Sequence, residues 1–234
     1  MDSNFESESF ALNSDSEELG TGLTLFISKE HRFGTDAVLL AEFAAPRRKD
    51  SVCDLGTGCG IIPFLLIRDF GVKSITAVDI QNEAIALLNK SIVFNNINSI
   101  IPINSDMKDL SPDLNGTFDV VTCNPPYKAV GTGILSDGSA KVTARHEVSC
   151  TIDDVCNVSK RLLKSGGKLC MINRAERLPD VITSMRIAHI EPKRLRFISK
   201  NKSSSPVLFL IEGIKDGKPF MKIAPPYFTH EGTD

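Results

Sequence analysis

Hydrophobic positions along the chain fall into short blocks whose spacing alternates between two periods. The apolar runs "SVCDL" (51–55), "SITAVDI" (74–80), "IIPIN" (100–104), "FDVVTC" (118–123) and "KLCMIN" (168–173) predict buried strands. Between them, "IIPFLLIRDF" (61–70), 82–95 with Ile85, Leu88 and Ile92, and "TIDDVCNVSKRLLKSGG" (151–167) predict helices. Pro63 falls in a first turn, where proline is tolerated; Thr151 is the expected N-cap of the last helix and Gly166 its stop. Upstream, "LTLFIS" (23–28) reads as a short strand, and "TDAVLLAEFAA" (35–45) as a helix capped by Thr35 and closed by Pro46. Downstream, 175–189 reads as a helix. "KRLRFIS" (193–199) and "PVLFLIEG" (206–213), split by "KNKSSS", read as an antiparallel ribbon on the sheet edge.

Strands and helices joined by short connections predict an α/β fold with a mostly parallel, doubly wound sheet ending in an antiparallel hairpin. Nothing marks a domain boundary after residue 50. One domain over 21–234 is expected, preceded by an arm at 1–20. The stretch 128–150 has no period and carries Gly131, Gly133 and Gly138; such length inside a domain marks a binding loop.

Composition changes this picture only at the N-terminus. Six acids and no base occupy residues 1–20, so that arm is expected to be disordered. The rest holds 27 bases against 23 acids, a net charge of +4 that permits an anionic partner without requiring one. No apolar run approaches the ~20 residues of a membrane span, and the acidic, serine-rich start is no signal or transit peptide, so a cytoplasmic chain is expected. The six cysteines form no C-x-x-C pair and the four histidines show no ligand spacing; reduced, packed thiols and no metal are expected.

The chemistry gathers at strand ends. "DLGTGCG" joins a strand to a helix, with Gly56, Gly58 and Gly60 letting backbone approach a ligand and Asp54 two residues before the first glycine. Asp79 ends the next strand, 19 residues past Gly60, where a carboxylate can accept from both ribose hydroxyls of an adenosine. Asp106 follows the third strand, in reach of an adenine edge. Each acid alone is an ordinary cap or turn residue; three at successive strand ends line one crevice. After "FDVVTC" comes "NPPY". An aromatic amine is a poor nucleophile because its lone pair is delocalised. The Asn124 side-chain oxygen and a carbonyl stiffened by Pro125 and Pro126 can grip both its N–H bonds and aim the lone pair. Tyr127 offers a face for an extruded base.

The glycine loop with Asp79 resembles the S-adenosylmethionine site of the seven-stranded, Rossmann-like methyltransferases over roughly residues 50–213. That resemblance implies that Asp54 and the glycine loop hold the methionine end of S-adenosylmethionine, Asp79 the ribose, and Asp106 with Met107 the adenine. "NPPY" resembles the motif of enzymes that methylate a planar NH₂ group: adenine N6, guanine N2 or a glutamine amide. "EHRFGTDAVLLAEFA" (30–44) and "ARHE" (144–147) are similar to segments of a narrower family, the bacterial tRNA methyltransferases acting on N6 of adenine 37 in valine tRNA. The narrower resemblance implies a tRNA partner, a cofactor-closing segment over 21–50 with Phe33, Gly34 and Asp36, and Arg145 on the substrate side.

Lys193, Arg194 and Arg196 lie in a run of six bases over 186–202 that can track phosphates or serve as a solvated edge. His146 beside the loop is a minor candidate, since no general base is required. Release-factor glutamine methyltransferases, ribosomal-RNA guanine-N2 enzymes and a non-catalytic cofactor-binding scaffold remain as alternatives. The first usually carry an N-terminal helical domain for which residues 1–50 are too short, and a scaffold has no use for a gripping amide.

Overall fold

The computed structural model describes residues 15–125 and 150–230. The chain opens with an antiparallel pair, β1 (Asp15–Glu18) and β2 (Thr24–Ile27), then α1 (Thr35–Ala44). Next come β3 (Ser51–Leu55), α2 (Ile61–Phe70), β4 (Ser74–Asp79), α3 (Asn82–Phe94), β5 (Ile100–Asn104) and β6 (Phe118–Cys123). They are followed by α4 (Ile152–Leu162), β7 (Leu163–Arg174), α5 (Leu178–Ile187), β8 (Ile190–Ser199) and β9 (Pro206–Lys215). Two short strands close the chain, β10 (Lys222–Ile223) and β11 (Tyr227–Phe228). No helix among the described residues is long and apolar enough to cross a membrane.

The main sheet runs β5-β4-β3-β6-β7-β9-β8, parallel as far as β7 and antiparallel beyond. Burial on both faces explains the unbroken apolar strands. One core packs α1, α2 and α3 on one face and another packs α4 and α5 on the other. The winding reverses between β3 and β6. In open α/β sheets that switch point is where a ligand crevice opens, at the carboxyl ends of the strands.

Four expectations need correction. Residues 15–18, placed in a disordered arm, form β1, because pairing with β2 satisfies their backbone despite exposed side chains. β2 is itself fastened to α3: Phe26 N–H donates to Ser91 Oγ at 2.9 Å, and Asn95 bridges both the N–H and the carbonyl of Thr24. Thr35 is the first helical residue rather than a cap; the extended Gly34 holds the cap position with no side-chain bond. Thr151 does cap α4, in a capping box with Asp154, but the helix stops at Leu162, short of Gly166. Gly116 and Thr117 N–H groups take the carbonyls of Arg161 and Leu162, and Leu163 turns into the sheet opposite Phe118. Finally, the ribbon is not simply an edge. β9 lies inside the sheet, and the outer side of β8 carries β10 and β11 in parallel.

Candidate active site

The glycine loop leaves β3 with Gly56, Gly58 and Gly60 at φ of 70°, 56° and 92°, a region that only glycine enters freely. A Cβ at Gly56 or Gly58 would meet open space, so a ligand can lie directly on that backbone. Gly60 differs: it heads α2 and a Cβ there would strike Leu88 of α3, so its bareness serves helix packing. Gly56 and Thr57 N–H groups both donate to the Val78 carbonyl at 2.9 Å. Gly58 N–H donates to Asp79 Oδ2 at 2.8 Å, and Gln81 N–H to Oδ1 at 2.9 Å. Asp79, only 6% exposed, is thereby fixed in orientation, with a second lone pair on each oxygen still available.

These groups open onto a crevice of about 270 Å³ at the switch point. Gly56, Gly58 and Asp79 line one side, Asp106 and Met107 the middle, and Asn124 with Pro125 the end of β6. Asp106 caps a short 3-10 turn, accepting from Lys108 N–H at 2.9 Å, with the Lys108 ammonium 3.4 Å away. Neutral thiols stand among them. Burial pushes Cys150 up to about 11, and its Sγ lies 3.6 Å from Met107 Sδ; burial also raises Cys123. Neither offers a thiolate nucleophile. Among the described residues no His, Cys, Asp and Glu cluster could hold a metal.

Asp54 does not line the crevice. It is fully buried at the end of β3, accepting from Thr122 Oγ1 at 2.6 Å on Oδ1, while Oδ2 has no hydrogen-bond partner. Thr57 Oγ1 stands beside the same carboxylate without a well-formed bond. Burial outweighs the hydroxyls and pushes Asp54 up to about 7. Phe33, Gly34 and Asp36 lie at the head of α1. The tail of that helix meets the amino half of the sheet, where Lys168 Nζ takes the Ala44 carbonyl and Arg194 that of Phe43. Its head is therefore at the carboxyl edge, on the crevice side but outside its lining. Pro126, Tyr127 and Arg145 lie outside the described residues.

Two of the three ribbon bases already have donors engaged within the chain. Lys193 Nζ donates to the carbonyls of Lys218, Pro219 and Phe220 at 2.8–3.2 Å. Arg194 pairs with Glu212 at 2.9 Å and lies over the Phe43 ring at 4.0 Å. Arg196 buries its Nε without a partner. Phosphate tracking along 193–196 is thus opposed by the chain's own contacts. Sequence reasoning also passed over Ile80, 42% exposed in the crevice wall, and Thr122, which holds Asp54. In the sequence the second shows only as a threonine inside an apolar strand; the pairing of β6 with β3 is what sets it against Asp54.

The set fits a nucleoside-bearing cation. Acceptors stand at two points of an apolar slot walled by Leu55, Val78, Ile80 and Met107, and bare glycine backbone lies beside them. Comparisons agree. The model of the methyltransferase small domain matches residues 21–186. A Parabacteroides distasonis protein named tRNA1(Val) (adenine(37)-N6)-methyltransferase is 26% identical over 182 residues, 77% of this chain and 76% of its own. One of the same name from Porphyromonas gingivalis is 27% identical, covering 70% and 72%. Among solved structures, a predicted O-methyltransferase from Agrobacterium tumefaciens superposes with a TM-score of 0.67 at 19% identity, covering 85% and 89%. M. jannaschii TYW2, in complex with AdoMet, gives 0.59 at 13%, covering 86% and 84%. At these identities the structural matches speak for the fold.

Proposed function

We propose that this chain, which belongs to the methyltransferase small-domain family and is an S-adenosylmethionine-dependent methyltransferase, methylates N6 of adenine 37 in a valine tRNA. The observation that carries the reading is the position of Asn124 and Pro125. They close the same crevice that Gly56, Gly58, Asp79 and Asp106 line, so a gripped amine would face a cofactor bound there. The relatives named for adenine-37 N6 methylation of tRNA1(Val) support adenine as the amine and tRNA as its carrier.

In this reading Asp79 accepts from the two ribose hydroxyls with the lone pairs left by Gly58 and Gln81. Ile80 and Met107 wall the adenine of the cofactor, and Asp106 reads its edge. Gly56 and Gly58 carry the methionine end, with Asp54 supporting the strand behind them. S-adenosylmethionine supplies an electrophilic sulfonium methyl. Asn124 Oδ1 and a carbonyl of the proline corner accept from the two N–H bonds of the substrate amine, turning its lone pair toward that methyl. Tyr127 stacks on the extruded base and Arg145 serves the substrate side. No side chain has to remove the proton, because the amine's acidity rises once methylated. Residues 21–50 act as the closing segment of a single domain over 21–234.

The test is to incubate the protein with methyl-labelled cofactor and, separately, unmodified valine tRNA, total ribosomal RNA and release-factor protein. Label on N6 of adenine 37 is the expected result. Label in guanine N2 or in a glutamine amide would replace the substrate while keeping the corner chemistry.

A further inference from the structure

An adenine gripped at Asn124 has to be turned out of its strand, and the flanking nucleotides must then run along the carboxyl edge of the sheet. Two directions are available. Toward β4 and β5 the edge carries Asp79, which repels phosphate, and Asp106, whose charge Lys108 offsets in part. Toward β7, β9 and β8 two acids are matched by bases, Glu176 by Arg174 at 3.6 Å and Asp180 by Arg177 at 2.8 Å, while Asp153 and Asp154 at the head of α4 are held by the hydroxyls of Ser184 and Thr151. Beyond them stands the turn that joins β8 to β9. Its place at the carboxyl edge follows from the register, since Arg174 at the end of β7 pairs with Leu208 and Leu208 with Ile198. Lys200 and Lys202 project from this turn, both exposed, and neither makes an ion pair among the described residues.

The turn is also braced. Asn201 Oδ1 accepts from Ser203 N–H at 3.0 Å and Ser204 Oγ at 2.8 Å. From outside, the strap that follows β11 donates Thr229 N–H to the Ser199 carbonyl and His230 N–H to that of Lys200. With the backbone pinned from both sides, only the two lysine side chains remain to be ordered when their ammonium groups meet an anion.

We propose that the 200–205 turn, through Lys200 and Lys202, is the docking point for the sugar-phosphate backbone of the RNA flanking the target base. This rests on the tRNA reading above. It moves the phosphate contacts from Lys193 and Arg194, which are spent internally, to the end of the same ribbon. Three strand spacings separate β6 from β8, about 14 Å, so the turn meets nucleotides beside the target rather than the target itself.

The experiment compares the wild type, Lys200→Ala/Lys202→Ala and a control, Lys49→Ala/Lys73→Ala. The control removes the same charge from exposed lysines just before β3 and β4, at the opposite end of the sheet. Binding of unmodified valine tRNA transcript is titrated across salt concentrations, and methylation kinetics are measured alongside. Each phosphate contact contributes about 0.7 to the log–log salt slope on single strands, so the turn variant should lose roughly 1.4 and the control nothing. KM for the transcript should rise several-fold in the turn variant with kcat at saturation unchanged. A wild type that binds and methylates the transcript while the turn variant keeps its slope, or while both variants lose it equally, overturns the docking point alone. A wild type that binds S-adenosylmethionine but shows no salt-dependent RNA binding overturns the docking point together with the tRNA reading.

Discussion

Replacing Asp54 with asparagine should flatten the dependence of stability on pH between about 4 and 7. Asp54 is fully buried with one oxygen bonded to Thr122 and the other unpartnered, and burial lifts its carboxyl from 3.8 to about 7. The folded chain therefore keeps this proton over a range in which the unfolded chain releases it. The stability it contributes is fully present below the unfolded pKa and is lost as pH rises through the folded one. About three pH units of separation at 1.36 kcal/mol each give a loss of about 4 kcal/mol by pH 8.

Asparagine is neutral throughout. It keeps an acceptor for Thr122 and turns an amide toward Thr57 Oγ1, so it should escape the loss. Asp119 and Asp154 shift the opposite way: Lys164 with Ser51 N–H outweighs burial at the first, Thr151 at the second. Their contributions fade only in acid and are common to both proteins. Urea unfolding of wild type and Asp54→Asn from pH 4 to 8 reads the difference directly. The gap should swing by about 4 kcal/mol in favour of the variant. Parallel profiles would show that Asp54 is ionised and solvated in the folded chain, and the reasoning from its burial would fail.

Asn124→Ala should lower kcat by roughly 10²-fold or more with KM for RNA little changed, the scale of one pre-organised partner; full activity in single-turnover assays would remove Asn124 from the mechanism. Asp79→Ala should weaken S-adenosylmethionine binding by about 2–3 kcal/mol, the scale of charged hydrogen bonds, as read by calorimetry. Unchanged affinity there would place the ribose elsewhere. Gly60→Ala should lower the unfolding midpoint, since its φ of 92° is strained for alanine and the new methyl meets Leu88; Gly116→Ala, also at positive φ but facing open space, should cost less. Equal midpoints in the two variants would show that the contact with Leu88 relaxes without cost.

The apolar runs by themselves determined strands β3 to β6, three of them at identical bounds to the sequence blocks 51–55, 100–104 and 118–123, because the inner strands β3, β4 and β6, buried on both faces, have almost no freedom in composition. Glycines at forced positive φ and acids at strand ends likewise placed Gly56, Gly58, Asp79 and Asp106 in the crevice, since parallel strands bring their carboxyl ends to one edge. What the sequence could not contain was the competition for each group once the chain closes. The end of α4 was decided by amides at 116 and 117, each 45 residues upstream of the carbonyl it takes at 161 and 162. Asp54, an acid in a ligand-binding motif, became a buried partner of Thr122 because β6 lies beside β3. Lys193 and Arg194 looked like free charge, but carbonyls at 218–220 and Glu212 on the neighbouring strand take them up, leaving Lys200 and Lys202 exposed. Local patterns fix which groups a strand or turn offers; only the folded neighbours decide which of those offers are still open to a ligand.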